Sequence, residues 1–364
     1  MKILFFINAL EHGGAARVLV TLSNELASRG HSVYIMADVL YKKVNFLVND
    51  NVILVPRIKT QYTKFNKQLQ RILGFIRIRK KLKIIKPDIV IGFMPRNYFL
   101  LKILSIGLPS IVIASERNSY HNNKDIYEYL IRKLFYPLAD AVTFLSKRDI
   151  YYLGNKLPQK TVMHNPIIFS ISDEKLARNK SILAAGRLDG WHHKGFDSLL
   201  SVWSRLAKKY IDWTLEIAGD GSNESSDFLK NMVAKYEIED RVVFLGFRSD
   251  MQYLFQTSSI FVLSSRYEGM CNVLLEAMSQ GCACISFELD GRTNEIITSS
   301  DVGIVVKDQN LDDLENTIAY LIENESLRES LGEKAKQEAA RFSKDKITDN
   351  WEELFNSLMP NKQD

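Results

Sequence analysis

The sequence predicts an α/β protein made of two successive parallel-sheet domains. Short apolar runs alternate with longer amphipathic stretches along the whole chain, the pattern of parallel strands joined by helices. The alternation restarts once, after His164-Asn165-Pro166. The chain has 364 residues, 46% of them apolar, and no biased tract; that is enough for two cores.

Residues 3–7 form an apolar run directly after Met1-Lys2. The run is short, lacks a small-residue cleavage site and leads into Gly13-Gly14, so it reads as a first strand and not as a signal peptide. A helical stretch over 14–28 follows, then strand-like runs at 33–36, 89–93, 111–114 and 142–145. The second set comprises 182–185, 213–218, 242–245, 260–263, 284–287 and 304–306. The domains are therefore placed at 1–166 and 167–343. The last segment, 344–364, opens with an amphipathic helix over 344–358 through Ile347, Trp351, Leu354 and Leu358, expected to cross back onto the first domain. No apolar run approaches the ~18 residues of a membrane span; residues 98–115 come nearest and are broken by Lys102 and Pro109.

Three cysteines, Cys271, Cys282 and Cys284, with no Cys-x-x-Cys spacing, argue against a disulfide framework or a zinc site and for a reducing compartment. The net charge of +5 hides an asymmetry. Residues 1–166 hold 26 Lys+Arg against 10 Asp+Glu, and the remainder holds 22 against 33. The first half should therefore meet something anionic, nucleic acid or a lipid headgroup surface.

Five constellations carry chemistry. Glu268-Gly269-Met270-Cys271-Asn272-Val273-Leu274-Leu275-Glu276 lies between an apolar run and an amphipathic run. This order puts Glu268 on a loop at a strand's carboxyl end and Glu276 about one and a half turns into the next helix. The backbone N–H groups opening that helix form an anion site beside two carboxylates able to hold hydroxyls. The loop Gly186-Arg187-Leu188-Asp189-Gly190-Trp191-His192-His193-Lys194-Gly195-Phe196-Asp197 follows another strand, and Arg187 and Lys194 could neutralise a diphosphate there. Adjacent His192 and His193 read as solvated. Ala218-Gly219-Asp220-Gly221 and Gly13-Gly14-Ala15-Ala16-Arg17 are glycine turns at strand ends, where glycine lets a ligand approach the backbone. Gly-x-Gly-x-x-Gly is absent, which counts against a nicotinamide enzyme. Residues 64–86 carry nine cations and no acid, with Phe65, Leu69, Ile72, Leu73 and Ile76 at helical spacing; one face is expected to pack on the domain and the other to bind anions. Asp-x-Asp is also absent, so no obligatory metal is expected to hold a diphosphate.

Taken in order, these motifs resemble the family-4 retaining glycosyltransferases of the GT-B fold. Asn165-Pro166 at the junction and Phe244-Leu245-Gly246 complete the set. Ala114-Ser115-Glu116-Arg117-Asn118 and the cationic stretch 64–86 are similar to bacterial members that extend undecaprenyl-diphosphate-linked glycans, N-acetylgalactosamine transferases included. The resemblance implies two Rossmann-like domains facing across a cleft. It implies transfer of a sugar from a UDP-sugar to a lipid-diphosphate-linked glycan, with retained configuration and no metal, in the assembly of surface polysaccharide, O-antigen or glycoprotein glycans. Arg187 and Lys194 would bind the diphosphate. Glu268 would hold sugar hydroxyls, Gly269 to Val273 would offer backbone donors, and Glu276 would bind the ribose. Phe247 and Arg248 would sit beside the base. Gly14, Gly186 and Gly219 would line the phosphates. Lys64, Lys67 and Arg71 would engage the acceptor's pyrophosphate. The expected partners are the UDP-sugar, the lipid-linked acceptor and an anionic membrane surface, without nucleic acid. The expected location is the cytoplasmic face of the cell membrane, with peripheral association.

The chain departs from the family pattern at four places. Ala16 stands where Glu is usual, and Lys194 lies seven positions after Arg187 where five is common. Cys271 replaces a frequent Pro or Gly, and Arg117 stands where many members have a sugar-contacting His, a role Arg117 or His121 would take. Rival readings are a nucleotide-sugar epimerase on the same fold and a non-catalytic anion-binding protein.

Overall fold

A computed structural model describes residues 1–11, 13–39, 44–57, 67–117, 125–153, 157–171 and 176–359; the side chains of 67–71 and 153 lie outside that description. The strands are β1 Lys2–Phe6, β2 Ser32–Ala37, β3 Val52–Pro56, β4 Ile89–Phe93, β5 Ile111–Ser115, β6 Ala141–Phe144 and β7 Gln159–Val162, then β8 Asn179–Ala185, β9 Thr214–Ala218, β10 Val242–Gly246, β11 Ser258–Leu263, β12 Ala283–Phe287 and β13 Ile304–Val306. The helices are α1 Gly14–Ser28, α2 Lys67–Ile85, α3 Pro95–Leu104, α4 Ile126–Leu134, α5 Lys147–Leu153, α6 Trp191–Lys194, α7 Phe196–Leu206, α8 Asn223–Lys235, α9 Met251–Thr257, α10 Asn272–Ser279, α11 Leu311–Glu323, α12 Glu325–Ala339 and α13 Lys344–Leu358. The described residues of Met1–Pro166 and Lys344–Asp364 form one compact unit, and those of Ile167–Ser343 a second.

Each unit holds one parallel sheet, ordered β3-β2-β1-β4-β5-β6-β7 in the first and β10-β9-β8-β11-β12-β13 in the second. Ile3, Leu4, Phe5 and Phe6 of the central β1 are all fully buried, as expected for a strand covered by helices on both faces. Right-handed crossovers place α1 on one face of the first sheet and α2, α3 and α4 on the other, because the chain steps across the sheet in opposite directions before and after β3. On that second face Leu4, Phe6 and Val90 share a core with Ile78 and Leu82 of α2, Tyr98 and Leu101 of α3 and Ile131 of α4.

The helix α13 packs against α1, burying Ile347, Trp351, Leu354 and Phe355. Polar contacts fix it. Arg29 Nη1 donates to Asp349 Oδ1 and Glu352 Oε2, each at 2.7 Å, and His31 Nε2 lies 2.7 Å from Glu352 Oε1. Burial acts to raise the Glu352 carboxyl, but hydrogen bonds from His31 and Arg29 outweigh it and hold the group below the ordinary range. A depressed carboxylate contributes stability that is complete above its unfolded pKa and disappears as pH falls through the folded value. The melting temperature of the native protein should therefore exceed that of Glu352→Gln at neutral pH, and the gap should close below about pH 4. A gap independent of pH would refute this.

Three expectations are corrected. The strands β3 and β7 were not foreseen. They are the two edges of the first sheet, and the half-buried Gln-Lys-Thr-Val of β7 shows no apolar run because one side has no neighbouring strand. The stretch at 64–86 is helical from Lys67, but its phase is opposite to that expected. Gly74, Ile78 and Leu82 face the core, while Ile72, Leu73 and Ile76 are exposed; Phe65 lies outside the described residues. Residues 188–194, read as a loop, form a 3₁₀ turn, Leu188–Gly190, followed by α6.

Candidate functional site

Ligands of open parallel sheets bind beyond the strands' carboxyl ends, at the point where the strand order reverses. In the second sheet that point lies between β8 and β11, which pair directly. The segment leaving β8 is Gly186 to Gly195, and the one leaving β11 is Ser264 to Cys271. They are the two loops singled out in the sequence, and they meet. Lys194 Nζ lies 2.7 Å from Glu268 Oε1, and Ser265 Oγ donates to the same oxygen at 2.8 Å. Both partners are half-buried. The neighbouring Glu276 is buried in the first turns of α10, as its fifth residue. Neither glutamate is a solvated surface charge.

Backbone contacts clamp the loops together. Arg266 N donates to His193 O at 2.9 Å and Ser264 Oγ to Lys194 O at 2.9 Å. The Arg266 guanidinium grips Asp197 through two bonds, at 2.8 and 2.9 Å. Gly195 has φ +66, and a Cβ there would lie 1.9 Å from Ser264 O, so only glycine permits the approach. The two additional residues between Arg187 and Lys194 are absorbed by the 3₁₀ turn and α6. Trp191 stacks on Phe228 of α8 at 4.2 Å, His193 stacks on Tyr267 at 4.0 Å, and Asp189 accepts from Ser222 N, Ser222 Oγ and Ser225 Oγ at 2.7–3.0 Å. The longer loop is thus braced on both sides.

Next to this pair, α10 starts at Asn272 with no side-chain cap and no acid in its first turn. Asn272 N donates to Met270 O at 2.9 Å; the N–H groups that follow it open the helix, and the helix dipole favours negative charge there. Arg292, buried, donates to Gly269 O at 3.1 Å and holds the turn. Burial pushes the Cys271 thiol well up, toward its neutral form, so Cys271 acts as an apolar cap residue. Arg187 is exposed at the mouth of the loop and forms no ion pair among the described residues.

Three strand ends lie side by side. Gly186 N donates to Ala218 O and Gly219 N to Gly246 O, both at 2.9 Å. A Cβ on Gly219 would fall 1.8 Å from Gly186 O, so that glycine lets β8 and β9 end together. Beyond Gly246 come Phe247, 78% exposed, and Arg248, which makes a two-bond pair with Asp250 at 2.7 and 2.6 Å. An exposed ring, two glycine turns and a cation–carboxylate pair therefore follow the order β10, β9, β8, β11 across about 14 Å of sheet edge.

The first unit is described by itself. Gly13, at φ +101, caps α1, which starts at Gly14 with no acid in its first turn. Arg117 lies deep in this unit. It is 7% exposed, enclosed by the rings of Phe93 and Trp351, and donates to Ser115 Oγ, Met163 O and Asn165 Oδ1 at 2.9–3.2 Å. Its Nε and Nη1 donors serve the fold, and Nη2 has no hydrogen-bond partner. The preceding Glu116 is also buried, accepting from Arg132 Nε at 2.6 Å and Tyr136 Oη at 2.9 Å. Lys64 and His121 lie outside the described residues, as do the side chains of Lys67 and Arg71. Sequence reasoning missed Ser265, Arg266 and Arg292, and gave no role to Asp197 at the end of the Gly186 constellation. Arg266 and Arg292 carried a signal, each an arginine within five positions of a strand end.

Two Rossmann-like parallel-sheet units, the second with this switch-point pair, define the GT-B class of sugar-transferring enzymes. Residues 12–168 match the Glycosyltransferase Family 4 profile and residues 170–338 the profile of glycosyl transferases group 1, and the chain belongs to these glycosyltransferases. It is 29% identical over 363 residues, 98% of each chain, to the GalNAc-alpha-(1->4)-GalNAc-alpha-(1->3)-diNAcBac-PP-undecaprenol alpha-1,4-N-acetyl-D-galactosaminyltransferase of Campylobacter jejuni. It is 26% identical to the amylovoran biosynthesis glycosyltransferase AmsD of Erwinia amylovora, covering 98% of this chain and 99% of AmsD. HepE of Anabaena, solved in complex with UDP, superposes with a TM-score of 0.79 at 19% identity, covering 98% of this chain and all of HepE. Among the described residues no helix is long and apolar enough to cross a membrane.

Proposed function

We propose that this glycosyltransferase moves an N-acetylhexosamine or hexose from a UDP-sugar to a hydroxyl of a lipid-diphosphate-linked glycan, with retention of anomeric configuration and without an obligatory metal. The observation that carries the reading is the Lys194–Glu268 pair beside the uncapped start of α10. Phe247 would stack on the uracil, Glu276 would hold the ribose, and Gly186 and Gly219 would leave room for the phosphates. Lys194, Arg187 and the N–H groups from Gly269 to Val273 would stabilise charge on the departing diphosphate, which is the main barrier in such transfers. Glu268 would accept from donor-sugar hydroxyls. The anomeric C–O bond to phosphate breaks as the acceptor oxygen bonds from the same face, and the acceptor proton passes to the leaving phosphate oxygen. Lys64, Lys67 and Arg71 would hold the acceptor's diphosphate. The kinship with a transferase acting on an undecaprenol-linked glycan supports the acceptor class.

The test is transfer from a panel of UDP-sugars to a short-chain prenyl-diphosphate disaccharide, with product anomers assigned by NMR coupling. One UDP-sugar should transfer with retention, and EDTA should leave at least about half the rate, since protein cations and not a metal meet the diphosphate. An inverted product, or a rate abolished by EDTA and restored by a divalent ion, would overturn the corresponding part.

A further inference from the structure

The loop that leaves β12 lies beside the loop that leaves β11, because those strands pair directly in parallel. It opens with a tight reversal. Asp290 has φ +51 and Gly291 φ +79, and Arg292 N donates to Leu289 O at 3.0 Å. Two left-handed residues under one such bond make a type I′ turn, which Asp-Gly favours. Glu288 anchors the turn on both sides: its N–H donates to Val306 O of β13 at 2.8 Å, and its carboxylate accepts from Gly291 N. The turn delivers Arg292, 4% exposed, against the segment from Glu268 to Cys271.

There the guanidinium takes the Gly269 carbonyl, at 3.1 Å. That oxygen stands four residues before Val273, so it is the one a longer α10 would use for the Val273 N–H. It is turned to Arg292 instead, and Met270 O, four residues before Leu274, is held by Asn272 N. The N–H groups of Val273 and Leu274 consequently have no acceptor among the described residues and stay available at the helix start. The peptide between Gly269 and Met270 is set in the same way. A trans peptide points its C=O and N–H in opposite directions, so fixing the carbonyl on Arg292 turns the Met270 N–H away from the buried side. The Cys271 sulfur lies in the field of Arg292, Lys194 and Glu268 together, so the buried Arg292 backs the same turn that Lys194 and Glu268 flank.

We propose that Arg292 is a positioning residue for the donor's β-phosphate: it holds the Gly269 carbonyl back, so that the N–H groups opening α10 converge on that phosphate, and it acts without a nucleotide contact of its own. The proposal rests on the reading that the second unit binds a UDP-sugar. Lys194 and Arg187 supply charge, which acts over distance and tolerates error in aim. Backbone donors act only when aligned, so the turn that aims them sets the preference for a diphosphate over a monophosphate.

The experiment measures UDP and UMP affinities by calorimetry for the full native chain, Arg292→Lys and Arg292→Met. The native chain should bind UDP at least about 10-fold tighter than UMP, the worth of a charge-assisted hydrogen bond to the extra phosphate. Arg292→Met should lose about 10-fold in UDP affinity and under about 2-fold in UMP affinity. Arg292→Lys, which keeps the charge without the planar fork, should lose about 3-fold for UDP alone. In turnover the loss should fall on kcat, with the acceptor KM native. A purely structural loss would weaken both nucleotides alike, because both are read on the same fold. A native UDP-to-UMP ratio in Arg292→Met overturns the proposal, and the same ratio in Arg292→Lys does so where the methionine variant does not fold. A native chain that binds UDP no tighter than UMP overturns it too. A native chain that binds neither nucleotide sinks the donor reading and this proposal with it, whereas a native preference that both variants keep sinks the proposal alone.

Discussion

Lys194→Ala and Glu268→Ala should each lower turnover by about 100-fold or more, the usual effect of removing one group that stabilises transition-state charge. The reason lies in how the two side chains are held. Lys194 Nζ is 2.7 Å from Glu268 Oε1, so each holds the other in place before substrate arrives. The loops bearing them are clamped by Arg266 on Asp197 and by Ser264 on Lys194 O, so neither substitution should unfold the second unit. Removing either charge leaves the other half-buried and unpaired, and the melting temperature should fall by only a few degrees, reflecting about 1–2 kcal/mol. Because the groups touch, their effects should not add: Lys194→Ala/Glu268→Ala should lose clearly less than the product of the single losses. Glu268→Gln, which keeps size and one acceptor, should fall between native and alanine. Near-native turnover in either alanine variant removes that residue from the site, and strict additivity shows that the observed pair has no part in catalysis.

The features that made this site legible in the sequence are strand ends followed by glycines. Gly195 and Gly219 stand where a Cβ would strike a neighbouring carbonyl, and one on Gly186 would press on the Lys194 side chain at 3.1 Å, so packing constrains the residue and the residue betrays the place. The pairing of β8 with β11 was not legible, because contacts between remote parallel strands leave no local pattern; only the ordered motifs implied it. The brace around the long loop was hidden for a related reason. Trp191 on Phe228 and Asp189 on Ser222 join segments more than 30 positions apart. On α2 the sequence misled outright. Apolar residues occupy two phases of that helix, one at Ile72 and Ile76 and one at Ile78 and Leu82, and periodicity alone does not say which phase meets the sheet. The setting of Arg117 was not legible either: in the sequence it is one more cation in a motif, whereas in the fold Phe93, Trp351 and three oxygen acceptors enclose it and Nη2 is left without a partner.

That enclosure sets the largest stability effect expected in the chain. Trp351→Ala should destabilise the first unit by about 3–5 kcal/mol, the usual cost of truncating a buried aromatic. Trp351 is among the largest fully buried side chains, and it lies with Phe355, whose ring centre is 5.6 Å away. It also covers the Arg117 guanidinium, 5.7 Å from its ring. Burial already works against that charge while nearby Glu116 works for it, and Arg117 Nη2 has no hydrogen-bond partner. Losing the ring opens a cavity against a buried cation, so water entering to solvate Nη2 would recover only part of the loss. The melting temperature should drop by roughly 10 °C. Trp351→Phe, which keeps an aromatic face over Arg117, should cost about half as much. UDP affinity measured by calorimetry well below the transition should stay native, since the proposed donor residues from Gly186 to Glu276 all belong to the second unit. A shift under about 2 °C for Trp351→Ala would show that α13 is held to the first unit mainly by the Arg29 and His31 contacts with Asp349 and Glu352, and not by its apolar side.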